Sequence, residues 1–360
     1  MNIYNQAKGL IMLAPLVMAC LGAPLAAAWT GRSPGRWLWL VRGLGVVLFA
    51  GVVISSFGVL RSAPVGLGSH DQEFAQIRPI VAGKPTLFVD NDHFGEWELR
   101  TAKPLYTTNA LYAPAQLGQH PAKRGGLPLD ADNYGAPEFD KVDYVVISNG
   151  RYTSQMPSNL RVALRTASYV VYHRVGATPD RQPLEMPGQP GTVFDCNSQK
   201  GRDYLGRFKW AGVLPRPVVS TDWSGSIAKP GQTARMTVKL PRGRWDISLQ
   251  YLSTTPLTLK GPGVQKRLAQ NFGLITSFWN GGTLTSDGSP STITLTSDKR
   301  TSFANLLGSP RKMRAPLSPG DRPLFQVAFT RHGRKPRRTP VAQACGRYVD
   351  WFAPAGSTMR

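Results

Sequence analysis

Histidine and cysteine are scarce, five and three residues in a chain of 360. With no Cys-x-x-Cys pair and the histidines scattered, a zinc site is not expected. Acid is also in short supply: 21 Asp and Glu stand against 43 Lys and Arg, a formal charge of +22. There is no Walker loop, dinucleotide fingerprint or nucleophile elbow, so nucleotide-phosphate and serine-hydrolase chemistry have no motif to rest on. The acidic stretch Asp130, Asp132 and Asp140 lacks the Gly and terminal Glu of an EF-hand, which removes that calcium loop. No cofactor is expected, and absence of a catalytic motif argues against an enzyme. After residue 60 no long apolar run remains, while 30 prolines and 37 glycines make turns frequent and long helices unexpected there.

What is present begins with two apolar runs, residues 9–29 and 40–60, each close to the ~20 residues that cross a bilayer core. They predict two transmembrane helices and a membrane anchor over residues 1–61. The connecting loop holds Arg32 and Arg36, with Arg42 close by, so the positive-inside rule places the loop in the cytoplasm and both termini outside. The expected location is the plasma membrane, with a two-pass anchor and a large extracytoplasmic C-terminal domain. A signal peptide over residues 1–29, cleaved near Leu25-Ala-Ala-Ala-Trp29, stays open as the alternative.

The first 61 residues carry five basic residues and no acid, so most of the cationic excess belongs to the rest of the chain. On an outer face such a surface meets anionic lipid headgroups, polyprenyl phosphates and acidic polymers, and nucleic acid is not an expected partner. The densest run, Arg331-His-Gly-Arg-Lys-Pro-Arg-Arg338, has no aromatic interleaving and reads first as a solvated loop, second as a lipid-phosphate contact. Cys20 falls in the first run. Cys196 and Cys345, 149 positions apart, are a disulfide candidate in an oxidising compartment, with two buried thiols as the alternative.

Residues 62–176 read as a small α/β domain. Strands are expected at 85–90, 143–148 and 168–174, and short helices at 73–81, 96–100 and 157–166. Asp90, Asp92 and His93 lie at the carboxyl end of the first strand, where open α/β sheets place ligands. They are a candidate divalent-cation or acid/base group; the plainer alternative is an Asp-rich turn capping the next helix. A Pro- and Gly-rich linker follows at 177–191.

Residues 192–352 alternate apolar and polar residues at period two over 231–240, 244–251, 257–259 and 291–296, which predicts a jelly-roll-like β-sandwich. Pro241-Arg-Gly-Arg244 reads as the tight connection of a hairpin. Residues 353–360 form a tail. The expected fold class is therefore two transmembrane helices, a small α/β domain and a β-sandwich, α+β overall and β-rich.

The segment Leu240-Pro-Arg-Gly-Arg-Trp-Asp-Ile-Ser-Leu-Gln-Tyr-Leu-Ser253 with Phe278-Trp-Asn-Gly-Gly282 resembles carbohydrate-binding sandwiches. Adding Gly83-Lys-Pro-Thr-Leu-Phe88, Asp143-Tyr-Val-Val-Ile147, Arg165-Thr-Ala-Ser-Tyr169 and Cys345-Gly-Arg-Tyr-Val-Asp-Trp351, the chain is similar to the C-terminal region of multi-spanning actinobacterial envelope proteins. Those proteins are related to the C-type glycosyltransferases that use polyprenyl-phosphate sugars. The catalytic acid of that family lies in an early loop that this chain lacks, so the resemblance carries over no catalytic residue. It implies an accessory module binding envelope glycan or a polyprenyl-linked sugar beside a multi-spanning membrane partner. Sugar contacts by ring stacking are expected from Trp210, Trp223, Tyr251 and Trp279, with Asn280 beside the last. Trp245, in phase with Ile247, Leu249 and Tyr251, reads as core. The competing functions are a metal-assisted transferase or hydrolase at Asp90, Asp92 and His93, and a ligand-free structural subunit of a membrane complex.

Overall fold

The computed structural model describes residues 43, 45–47, 49–51, 53, 68–90, 93–107, 130–184, 190–227, 231–251, 253, 255–269, 271, 278–298 and 324–355. The chain divides into two units, Met1–Val65 and Gly66–Arg360. In the first, helix is described at positions between 43 and 53, where Val46, Val47, Phe49 and Val53 are exposed. The expectation of two transmembrane helices is corrected here: no helix among the described residues is long and apolar enough to cross a membrane. The run at 9–29 lies outside the described residues.

The second unit is built on sheets. Its first sheet has the order β2-β1-β3-β5-β4, from β1 (Thr86–Val89), β2 (Leu105–Thr107), β3 (Tyr144–Ser148), β4 (Leu160–Arg165) and β5 (Tyr169–Arg174). β1 runs parallel to both β2 and β3, whereas β3-β5 and β5-β4 are antiparallel. Helix α1 (Gly68–Val81) packs Phe74, Ile77 and Val81 on one face; Leu87, Val89, Val145 and Ile147 build a second core on the other. Every residue of β1 is buried, as expected of a strand covered on both sides. A short helix α2 (His93–Glu98) follows β1, and α3 (Ala136–Phe139) precedes β3.

The helix expected at 157–166 is strand β4. Leu160 and Leu164 share the four-residue spacing of a helix face, which misleads. The ladder instead shifts register between Val162 and Leu164. That bulge sends Leu160, opposite Arg174, to the core that holds Val170, and Leu164 to the opposite face with its partner Val171.

Two antiparallel sheets form the sandwich: β10-β11-β16-β13-β14 and β15-β12-β17-β9. The first contains β10 (Ser224–Gly225), β11 (Thr233–Lys239), β13 (Leu257–Gly261), β14 (Val264–Leu268) and β16 (Pro290–Ser297). The second contains β9 (Val218–Ser220), β12 (Gly243–Tyr251), β15 (Trp279–Ser286) and β17 (Leu324–Arg331). Alternation carries the core: Met236, Leu259, Ile293 and Leu295 meet Trp245, Ile247, Leu249 and Phe329. This core is continuous with that of α1 and β5.

The hairpin expected across Pro241-Arg-Gly-Arg244 does not form. β11 pairs with β16, and β12 pairs with β15 and β17, so the connection crosses between sheets. Pro241 has no N–H to give a ladder, and its carbonyl instead accepts Trp245 Nε1 at 2.8 Å. Gly243 turns the corner at φ +137°.

A further sheet, β18-β8-β19-β6 with β7 also on β19, gathers strands far apart in the chain. They are β6 (Gln182–Pro183), β7 (Thr192–Val193), β8 (Trp210–Leu214), β18 (Arg337–Pro340) and β19 (Tyr348–Ala353). Residues 177–191 thus contribute β6, paired at Trp351↔Pro183. Helix α4 (Gln199–Arg207), capped by the Ser198 hydroxyl accepting Gly201 N at 3.0 Å, packs against this sheet through Tyr204. Cys196 and Cys345 are joined by a disulfide beside it, with Cα atoms 5.5 Å apart.

Candidate functional site

A cleft of about 390 Å³ opens where α1 and the β4–β5 turn meet the sandwich. Its walls include Glu73, Ser168, Tyr251, Lys266, Trp279 and Asn280. Three of the five residues expected to contact sugar are therefore brought together, although they come from two strands 28 positions apart. Trp279 opens β15 rather than lying in a loop, and only 8% of its surface is exposed. Its ring stacks on His70 of α1, centroids 5.6 Å apart, and meets Tyr169 edge-on at 5.9 Å. The indole thus joins α1, β5 and the sandwich, and it borders the cleft with what remains.

Tyr251 is a wall and nothing more: its hydroxyl donates to the Ala269 carbonyl at 2.7 Å, and complete burial drives its pKa well above the usual tyrosine value. The Asn280 carbonyl oxygen accepts Gly282 N at 2.8 Å, which leaves the amide NH2 for the cleft. Glu73 reaches across from α1 and accepts Ser168 N at 2.7 Å, Ser168 Oγ at 2.8 Å and the Thr166 hydroxyl. Those three bonds fix the β4–β5 turn and occupy the carboxylate, so Glu73 is a poor general base.

On the rim, Arg267 pairs with Asp298 at 2.7 Å and is mostly exposed. The Lys266 side chain, half-buried, makes no ion pair or hydrogen bond among the described residues. Burial lowers its pKa first and the charge of Arg151 second, and Glu73 only partly offsets them. Neither Lys266 nor Glu73 was read from sequence as a site residue. The signal for β14 is weak because Gln265, Lys266 and Arg267 in succession leave little apolar alternation.

The other expected residues lie elsewhere. Trp223, between β9 and β10, packs half-buried against the sandwich core. Trp210 begins β8 and carries the Arg338 guanidinium 4.2 Å from its ring centroid. Asp90 is buried; Asp92 and the His93 side chain lie outside the described residues. Among the described residues no group of three or more His, Cys, Asp or Glu is placed to hold a metal ion. The basic run at 331–338 is more than a solvated loop: Arg331 lies 4.4 Å over Trp245, Arg338 covers Trp210, and Arg334 points inward.

A buried polar junction joins the loops of the first sheet to β19. The Asp350 carboxylate accepts Gln155 N at 2.9 Å, Trp351 Nε1 donates to the Gln155 side chain at 2.8 Å, and Arg181 faces Asp132 at 3.6 Å. Burial raises the pKa of Asp350 despite Arg181 and Arg334 nearby. Tyr152, also buried, is pushed up to about 12.

No family model matches the chain, and no curated protein matches it. Among solved structures, the Podospora anserina GH26-CBM35 β-(1,4)-mannanase aligns at 10% identity over 34% of this chain and 28% of its own, with a TM-score of 0.19. The insecticidal crystal protein Cry2Aa aligns at 13% identity over 47% and 26%, TM-score 0.22, and a Paenibacillus xanthan lyase at 12% identity over 55% and 20%, TM-score 0.22. The chain thus spans under a third of each of these structures. Two of the three neighbours are named for polysaccharides, mannan and xanthan, and scores of this size assign neither fold nor ligand to this chain.

Proposed function

We propose that this protein is a non-catalytic glycan-binding module of an extracytoplasmic compartment, taking cell-envelope glycan or a lipid-linked sugar in the cleft beside Trp279. The observation that carries the reading is the convergence of Trp279 and Asn280 with Lys266 and Ser168 around one cleft. Its volume of about 390 Å³ lies within the ~300–1,000 Å³ of small-molecule sites. Aromatic edge, amide and hydroxyl are the groups that serve a pyranose, which offers an apolar face and a ring of hydroxyls. The disulfide between Cys196 and Cys345 supports an oxidising location. Kinship with the C-terminal region of glycosyltransferase-related envelope proteins belongs to the same proposal.

The test is titration of purified full-length protein with envelope polysaccharide fragments and defined oligosaccharides. Binding that weakens at least tenfold in Asn280→Ala, in a variant that stays folded with its unfolding midpoint lowered only modestly by loss of the Gly282 N bond, is the expected result. Failure of every glycan to bind at millimolar concentration overturns the reading.

A further inference from the structure

We propose that the cleft selects sugars bearing a negative charge, a carboxylate or a phosphate ester, and that Lys266 is the residue that reads it. The inference rests on the glycan reading and adds the ligand's charge. It follows from how the charges around the cleft are committed. Glu73, the acid on the cleft wall, is held by Thr166 and twice by Ser168. Arg267 is neutralised by Asp298 at 2.7 Å. Lys266 lines the same cleft from β14 with no ion pair of its own among the described residues, and Arg151 adds a second positive field.

An ammonium half-removed from water and repelled by the Arg151 guanidinium is costly, and the Glu73 carboxylate offsets only part of that cost. A neutral sugar brings a hydroxyl, which relieves little of that cost. An anion supplies the missing charge and makes a charge-assisted hydrogen bond, roughly twice as strong as a neutral one. Arg151 reinforces the same preference, while Asn280 and Ser168 serve the uncharged hydroxyls.

Calorimetric titration of the full-length protein with trigalacturonate, glucose 1-phosphate and neutral maltotriose tests the proposal. One of the two anionic sugars is expected to bind at least tenfold more tightly than maltotriose, with the carboxylate and phosphate arms identifying which group is read. Lys266→Met is expected to erase that advantage, so that charged and neutral sugars bind it alike, and Lys266→Arg to retain it; circular dichroism of both variants confirms folding. Equal affinity for charged and neutral sugars, or an advantage that survives in Lys266→Met, overturns the charge selection and leaves the glycan reading standing. No binding by any of the three, or by the envelope fragments, removes both.

Discussion

The hydroxyl oxygen of Ser248 accepts the backbone N–H of Tyr152 at 3.0 Å, across 96 positions of sequence. The N–H of Arg151 reaches the same oxygen, also at 3.0 Å. One strand side chain thereby satisfies two successive amides of the loop after β3. Ser248→Ala leaves both without that acceptor, one of them fully enclosed, and is expected to lower unfolding free energy by about 1–3 kcal/mol in chemical denaturation.

Two glycines are expected to respond to alanine in opposite directions. At Gly150 an added Cβ would lie 2.0 Å from the Phe278 carbonyl oxygen, a backbone atom that cannot swing away. Gly150→Ala should destabilise by about 1–3 kcal/mol or more. Gly206, inside α4, meets nothing within 4 Å, and Gly206→Ala should stabilise by up to about 1 kcal/mol. Thermal melts of the pair check both signs.

Replacing Cys196 and Cys345 together by alanine is expected to cost about 2–5 kcal/mol, because the bridge closes a loop of 149 residues in the unfolded chain. Denaturant titration of the oxidised protein, the reduced protein and the double variant measures it. The oxidised form should stand apart and the other two should coincide.

Trp279→Ala removes the ring stacked on His70 and set against Tyr169, and an expected loss of about 3–5 kcal/mol accompanies it. Lost glycan binding in that variant therefore reports on folding as well as on contact. Trp279→Phe, which keeps an aromatic ring, should recover most of the stability in the same melts.

Asp350 sets a pH dependence. Burial raises its folded pKa above the unfolded value of 3.8, so in the interval between the two the folded chain holds a proton that the unfolded chain releases. Stability from this group is then present below the unfolded pKa and lost as pH rises through the folded one. Relative to Asp350→Asn, which cannot titrate, the natural protein should gain stability as pH is lowered from 7 toward 4. Paired denaturation curves at several pH values read the difference. At the alkaline end, Tyr152 removes stability between about 10 and 12 by the same logic.

Local alternation made the long sandwich strands legible: Met236 and Val238, or Ile293 and Leu295, point one way and their neighbours the other. What escaped was whatever depends on a distant partner. Trp279, followed by Asn280, Gly281 and Gly282, reads as loop until His70 is placed against it. β6 and β7 are two residues each and exist only because β19 offers its edge. Leu160 and Leu164 mimic a helix face because the bulge between them is invisible without β5. In the cleft, the aromatic and amide were legible by type; Lys266 and Glu73 were not, since a charged residue on a strand or helix ordinarily faces water.

The sandwich leaves the small disulfide-bearing sheet at β8 and returns at β18, and these two strands are hydrogen-bonded neighbours, Trp210↔Pro340 to Val213↔Arg337. It is a cassette hung from adjacent posts, with Cys196 and Cys345 as a clasp outside both. A protease that cuts anywhere between the two cysteines leaves fragments that still travel as one molecule. In surroundings rich in secreted hydrolases and poor in reductant, such a nick would not release the sandwich.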